Sequence, residues 1–177
     1  MNDFLCILIV IYVLVLVGVI AWYFYKKYKI NKKIDLLTSC ETELTPKEFF
    51  QLRNFSFGGR GKPKYALTKN CAGVYILFNK TKDKYYVGQA QKLLDRVNNH
   101  FTGKGNGDVY ADYKYGDSFT IKMISLQKSG YASLNALEKD IISRYSAFSK
   151  GYNKTRGNKN WNFNSDKFIF YDKLLIL

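Results

Sequence analysis

Two phenols, a guanidinium, an imidazole and a carboxylate recur in this 177-residue chain at spacings that a small fold can gather. The tripeptides Gly73-Val74-Tyr75 and Tyr86-Val87-Gly88 flank a short polar stretch, 79–84. If that stretch closes an even-numbered hairpin, position 79 opposes 84, Tyr75 opposes Gly88 and Leu77 opposes Tyr86. Tyr75 and Tyr86 then share one sheet face as diagonal neighbours, about 7–8 Å apart at the backbone. Gly88 has no side chain and leaves space over Tyr75. Among 15 tyrosines such a pair is cheap, so its weight depends on the polar groups further along the chain. Arg96 and His100 stand four residues apart and share one helix face; Gln89 and Lys92 continue that stripe. A guanidinium is a planar, permanently charged fork for phosphate oxygens, and a histidine can serve as acid, base or proton relay. Glu138 borders an apolar helical stripe, where a carboxylate can turn into a cleft and hold a divalent cation beside waters and substrate phosphates. The plain alternatives are a solvated polar helix face for Arg96 and His100, a lysine-paired surface glutamate for Glu138, and a turn residue for Asn153.

The elements that must position these groups are legible. The run 73–78 is rich in β-branched and aromatic residues and reads as a strand, as do 85–87 and 118–126. The stretch 89–101 has Leu93, Leu94, Val97 and Phe101 at helical spacing, and the glycines of 103–107 end it. A second helix, 134–148, aligns Leu134, Leu137, Ile141, Tyr145 and Phe148, with Ser133 as N-cap. The order β-β-α-β-α describes a small α+β domain. Upstream, Thr45-Pro46-Lys47-Glu48 opens a short helix: Thr as cap, Pro at the first helical position, Glu closing a capping box.

The chain's start is of a different kind. Residues 4–24 are 21 consecutive uncharged, mostly apolar residues, about 31 Å of helix and enough to cross a bilayer. A core helix would carry a polar stripe; a cleaved signal peptide would have a basic start and a shorter apolar run, although Val19-Ile20-Ala21 resembles a cleavage site. Trp22, Tyr23 and Tyr25 mark one interface, with Lys26, Lys27, Lys29, Lys32 and Lys33 just beyond it, so the remainder is expected on the cytoplasmic side. Residues 1–25 thus read as a transmembrane anchor, 26–69 as a basic juxtamembrane tether with a short helix, 70–157 as the α+β domain and 158–177 as a C-terminal extension. The last ten residues are too few to span a bilayer.

The chain has 28 Lys and Arg against 14 Asp and Glu, a formal charge of +14. This excludes an acidic cation buffer and points to a polyanion, nucleic acid or anionic lipid. The Gly-rich basic loop 56–64 is not a phosphate-binding P-loop, but Arg60, Lys62 and Lys64 could touch phosphates. Cys6, Cys40 and Cys71 form no ligand pattern with the single histidine, which argues against structural zinc.

Taken in order, Gly73-Val74-Tyr75, Tyr86-Val87-Gly88, Arg96, His100, Glu138 and Asn153 resemble the GIY-YIG nuclease family over about 70–157, with Val replacing the central Ile of both signature tripeptides. The run 73–101 is similar to the nuclease module of the bacterial excision-repair incision subunit, while His100 and the spacing to Asn153 are closer to the homing-endonuclease branch. The resemblance implies a three-stranded antiparallel sheet flanked by helices and metal-dependent DNA cleavage, with Mg²⁺ or Mn²⁺. It implies that Tyr75 helps activate the attacking water with His100 as proton acceptor. Tyr86 would bind the scissile phosphate, Arg96 would stabilise charge on phosphorus, Glu138 would hold the metal and Asn153 would brace the site. Gln89, Lys92, Arg60, Lys62 and Lys64 are the expected DNA contacts. The expectation is a membrane-tethered, Mg-dependent endonuclease whose partners are DNA and membrane lipid. The alternatives are a non-catalytic module that docks DNA at the membrane and a basic protein that binds anionic lipid.

Overall fold

The computed structural model describes residues 2–55 and 70–157. The loop bearing Arg60, Lys62 and Lys64 and the C-terminal extension lie outside the described residues. The elements in chain order are α1 (Asn2–Ser39), α2 (Pro46–Asn54), β1 (Gly73–Asn79), β2 (Lys84–Ala90), α3 (Leu93–Phe101), α4 (Gly107–Lys114), β3 (Phe119–Ser125), α5 (Leu126–Ser129) and α6 (Leu134–Arg144). The strands form one antiparallel sheet in the order β2-β1-β3. The hairpin has the expected register: Tyr75 opposes Gly88, Leu77 opposes Tyr86 and Asn79 opposes Lys84.

Helices cover the sheet on both faces. On one, Tyr75, Leu77 and Ile121 pack with Phe49 of α2, Leu94 and Val97 of α3, and Val109 of α4. On the other, Val74, Ile76, Val87 and Ile124 pack with Leu137, Ile141 and Ile142 of α6 and Ile34 of α1. A strand buried on both sides needs apolar residues at every position, not alternate ones. That is why β1 reads GVYILF without a polar break, and Val74 through Leu77 are all buried.

Several boundaries differ from the sequence reading. The helix expected over 89–101 starts only at Leu93. Gln89 belongs to β2, because Gly73 of β1 extends the ladder to Ala90. The helix expected over 134–148 ends at Arg144, where Ser146 takes a positive φ of 52°. Helix α4 lies in a stretch to which no helix was assigned; Asn106 caps it by accepting from the Asp108 and Val109 amides at 2.9 and 3.1 Å. The caps foreseen for α2 and α6 form: Thr45 and Glu48 complete a capping box, and Ser133 accepts from the Ala136 amide.

The region after the apolar run also differs from a tether. Helix α1 is continuous for 38 residues, about 57 Å. Its last turns belong to the domain: Ile34 is fully buried, with Ile30 and Leu37 half-buried beside it. Asp35 accepts two bonds from Arg144, 2.7 and 3.0 Å, and Lys33 reaches the Gly130 carbonyl at 3.0 Å.

Candidate active site

The site lies at the β2 edge of the sheet, between α3 and the segment that follows α6. A cavity of about 330 Å³ is lined by Tyr75, Tyr86, Gly88, Arg96, Glu138 and Asn153, together with Val87, Gln89, Asn106, Lys154 and Thr155. Five of the six residues singled out as a catalytic set therefore reach one cavity, and the sixth, His100, sits beneath it against Tyr75.

Each group is held by a local feature. Tyr75 stands mid-strand on β1, 1% exposed, opposite Gly88. A Cβ at position 88 would overlap Tyr75 Oη and Cζ, so the glycine makes room for the phenol. Tyr86 is two positions from Gly88 on the same strand face, and its ring centroid is 6.1 Å from that of Tyr75. His100, on the last turn of α3, is fully buried. Its Nε2 is 2.9 Å from Tyr75 Oη, and its Nδ1 accepts from the Asn106 backbone N–H at 2.9 Å. The ring of Tyr86 stands edge-on to the imidazole, 4.9 Å between centroids. Arg96, one turn earlier on α3, is exposed, and its guanidinium faces both phenols.

The electrostatics follow from burial. Tyr75 is pushed far above the ordinary tyrosine value, first by loss of solvent and then by the neighbouring Tyr86, with Arg96 acting in the opposite direction. His100 is pushed down to about 4, first by burial and then by the Arg96 charge. The imidazole is therefore neutral at physiological pH, and the phenol carries its proton when no substrate is bound.

On the opposite wall, Glu138 projects from α6, 8% exposed. Its Oε2 accepts from Gln89 Nε2 at 3.0 Å, and the same amide donates to Asn135 at 2.6 Å. Gln89, expected as a DNA contact on a helix, is thus a strand residue that orients the carboxylate. Asn153 faces the β2 backbone: its Oδ1 accepts from the Val87 N–H at 2.8 Å and its Nδ2 donates to the Val87 carbonyl at 2.7 Å. With the Tyr152 N–H on the Tyr85 carbonyl at 2.9 Å, this segment occupies hydrogen-bonding groups that an edge strand otherwise leaves open. Lys92 is exposed at the N-terminus of α3, outside the cavity lining.

Among the described residues no three His, Cys, Asp or Glu side chains converge on a cation site. Glu138 nevertheless fits a hard cation: it is a carboxylate at the wall of a cavity that Arg96 and Lys154 also line, and Mg²⁺ is commonly held by one or two carboxylates plus waters and substrate phosphates. Sequence reasoning missed Asn106, Asn135, Lys154 and Thr155. The glycines bracketing Asn106 carry only a helix-breaking signal, and nothing local connects Asn135 to Gln89, 46 positions away.

Residues 71–153 match the family model of the GIY-YIG catalytic domain. No curated protein matches the chain. No solved structure matches it. The stretch 71–153 is thus similar to the GIY-YIG catalytic domain, a similarity that suggests nuclease activity. Ahead of it stands a helix long and apolar enough to cross a membrane, its apolar window unburied among the described residues.

Proposed function

We propose that this protein is a membrane-tethered endonuclease that hydrolyses DNA phosphodiester bonds with a divalent cation, Mg²⁺ or Mn²⁺, and that its catalytic domain faces the cytoplasm. The observation that carries the reading is the convergence of Tyr75, Tyr86, Arg96, Glu138 and Asn153 on one cavity from separate elements. A phosphate diester resists attack because it is anionic, and charge accumulates on its oxygens as the fifth bond forms. A guanidinium aimed at that position lowers the barrier, and Arg96, with both phenols beside it, would take that role. Tyr86 is half-buried and open to the cavity, where its hydroxyl would bind a non-bridging oxygen. Tyr75 would orient the attacking water from the floor. Glu138 would hold the cation, whose contribution is to draw charge from the phosphate and favour ionisation of water. Asn153 would keep β2 in register, so that Tyr86 and Gly88 hold their positions.

The cytoplasmic assignment rests on the lysines at 26, 27, 29, 32 and 33, which lie just after the apolar run, against Asp3 before it. A nuclease fixed at an inner membrane face would meet DNA as it enters, a role that suits defence or uptake.

The test is nicking of supercoiled plasmid by the full chain in lipid nanodiscs with Mg²⁺. Wild type is expected to nick, chelation to stop it, and Glu138→Ala to lower the rate by about a hundredfold or more. Tyr75→Phe is expected to do the same. Salt-sensitive DNA binding without strand breaks would favour a docking module instead, and undiminished nicking by Glu138→Ala would overturn the assignment of the metal.

A further inference from the structure

The two nitrogens of His100 have partners of different kinds, and together these fix where its proton lies. Nδ1 receives the Asn106 backbone N–H at 2.9 Å. A backbone amide can only donate, so Nδ1 must supply a lone pair. A neutral imidazole bears one ring proton, which then resides on Nε2. Nε2 lies 2.9 Å from Tyr75 Oη, so this bond runs from the imidazole to the phenol. The ring has no room to turn over. It is fully buried, and the loop packs so closely that a Cβ on Gly105 would lie 2.5 Å from Nδ1 and 2.8 Å from Cγ.

We propose that the loop carrying Gly105 and Asn106 is a tautomer lock, which makes His100 a hydrogen-bond donor to Tyr75 and turns the phenol's own proton toward the substrate cavity. The polarity is opposite to the expectation that His100 accepts the proton of Tyr75. In the resting site Tyr75 accepts from Nε2–H and donates toward the cavity that it lines with Tyr86, where the Tyr86 oxygen, a water or a phosphate oxygen would receive the bond. Asn106 acts through His100, and His100 through Tyr75, so both are positioning residues. The catalytic consequence rests on the nuclease reading; the lock itself does not, and its test needs no substrate.

His100 is the only histidine in the chain, so its ring nitrogens can be observed without assignment. The full chain labelled with ¹⁵N-histidine, in detergent micelles at pH 7, is expected to show one unprotonated nitrogen, identified as Nδ1 by its couplings to the ring protons, and one protonated nitrogen, Nε2. Asn106→Pro deletes the donor at a residue whose φ of −75° suits proline, and is expected to shift both signals toward a mixture of tautomers. Asn106→Ala keeps the amide while losing the helix cap, and is expected to retain the wild-type pattern. A proton on Nδ1, averaged signals in wild type, or an unchanged pattern in a folded Asn106→Pro would each overturn the lock. Should Asn106→Pro fail to fold, the wild-type spectrum alone decides the tautomer.

Discussion

His100 illustrates how burial selects a role for a side chain. At i and i+4 with Arg96 it could have been one more polar residue on a wet helix face. Instead it is fully buried, with both nitrogens engaged. Charging it would desolvate a cation beside Arg96 and would force Nδ1 against an amide proton, so its value falls from 6.5 to about 4. The folded-state value lies below the unfolded one. Between pH 6.5 and 4 the unfolded chain therefore binds the extra proton, and stability is present in full above that window and lost as pH falls through it. The stability advantage of wild type over His100→Gln is expected to shrink by about 3 kcal/mol from pH 7 to pH 4, measured by urea denaturation of both proteins at each pH. An advantage that does not change with pH would mean that the imidazole titrates normally.

At the scale of elements, α1 and β2 do more than their sequences announce. The end of α1 presents Ile30, Ile34 and Leu37 at spacings of four and three, one stripe that closes the core on the α6 side of the sheet. Ile34→Ala deletes a fully buried side chain and is expected to lower the stability of the catalytic domain by about 2–5 kcal/mol, read as a lower melting temperature in nanodiscs. Leu36→Ala, an exposed position on the same turn, should leave it unchanged. Equal effects of the two would mean that α1 is not part of the fold. Strand β2 carries Tyr86, Gly88 and Gln89 and is an edge strand, which alone is prone to slip by one residue and turn its side chains over. The Asn153 amide on both polar groups of Val87 opposes such a slip.

For the whole molecule, the continuous α1 joins the apolar span to the domain in a single helix. From the end of the apolar run at Phe24 to the buried Ile34 is about 15 Å of helix, so a membrane-inserted span would hold the domain close to the lipid surface. The cavity opens at the β2 edge, between α3 and the segment after α6, and α1 packs on α6 and on β3. Deleting residues 4–24 removes the apolar span but leaves every α1 side chain that packs in the core. The truncated chain is expected in the soluble fraction after cell lysis, whereas the full chain stays with membranes through carbonate washing. Its rate of plasmid nicking should remain within about threefold of wild type, because the cavity draws no residue from the deleted span and rate differences that small correspond to well under 1.4 kcal/mol in the barrier. A truncated chain that still sediments with membranes would show that another part of the molecule holds the lipid.

The residue types, their order, the hairpin register and the apolar span were all readable from the chain, since each depends on local periodicity: alternation in strands, 3.6-residue spacing in helices, and an uninterrupted apolar run. A four-residue loop between the paired positions 79 and 84 sets Tyr75 opposite Gly88. The surroundings of those residues were not readable. That Gln89 is a strand residue bonded to Glu138, that an amide six positions on presents itself to His100, and that the juxtamembrane helix fills the core all depend on contacts between distant positions or on a backbone group without a side-chain signature. Pattern determined which groups were available; packing decided which of them lost water, which nitrogen kept its proton, and hence the chemistry that each can perform.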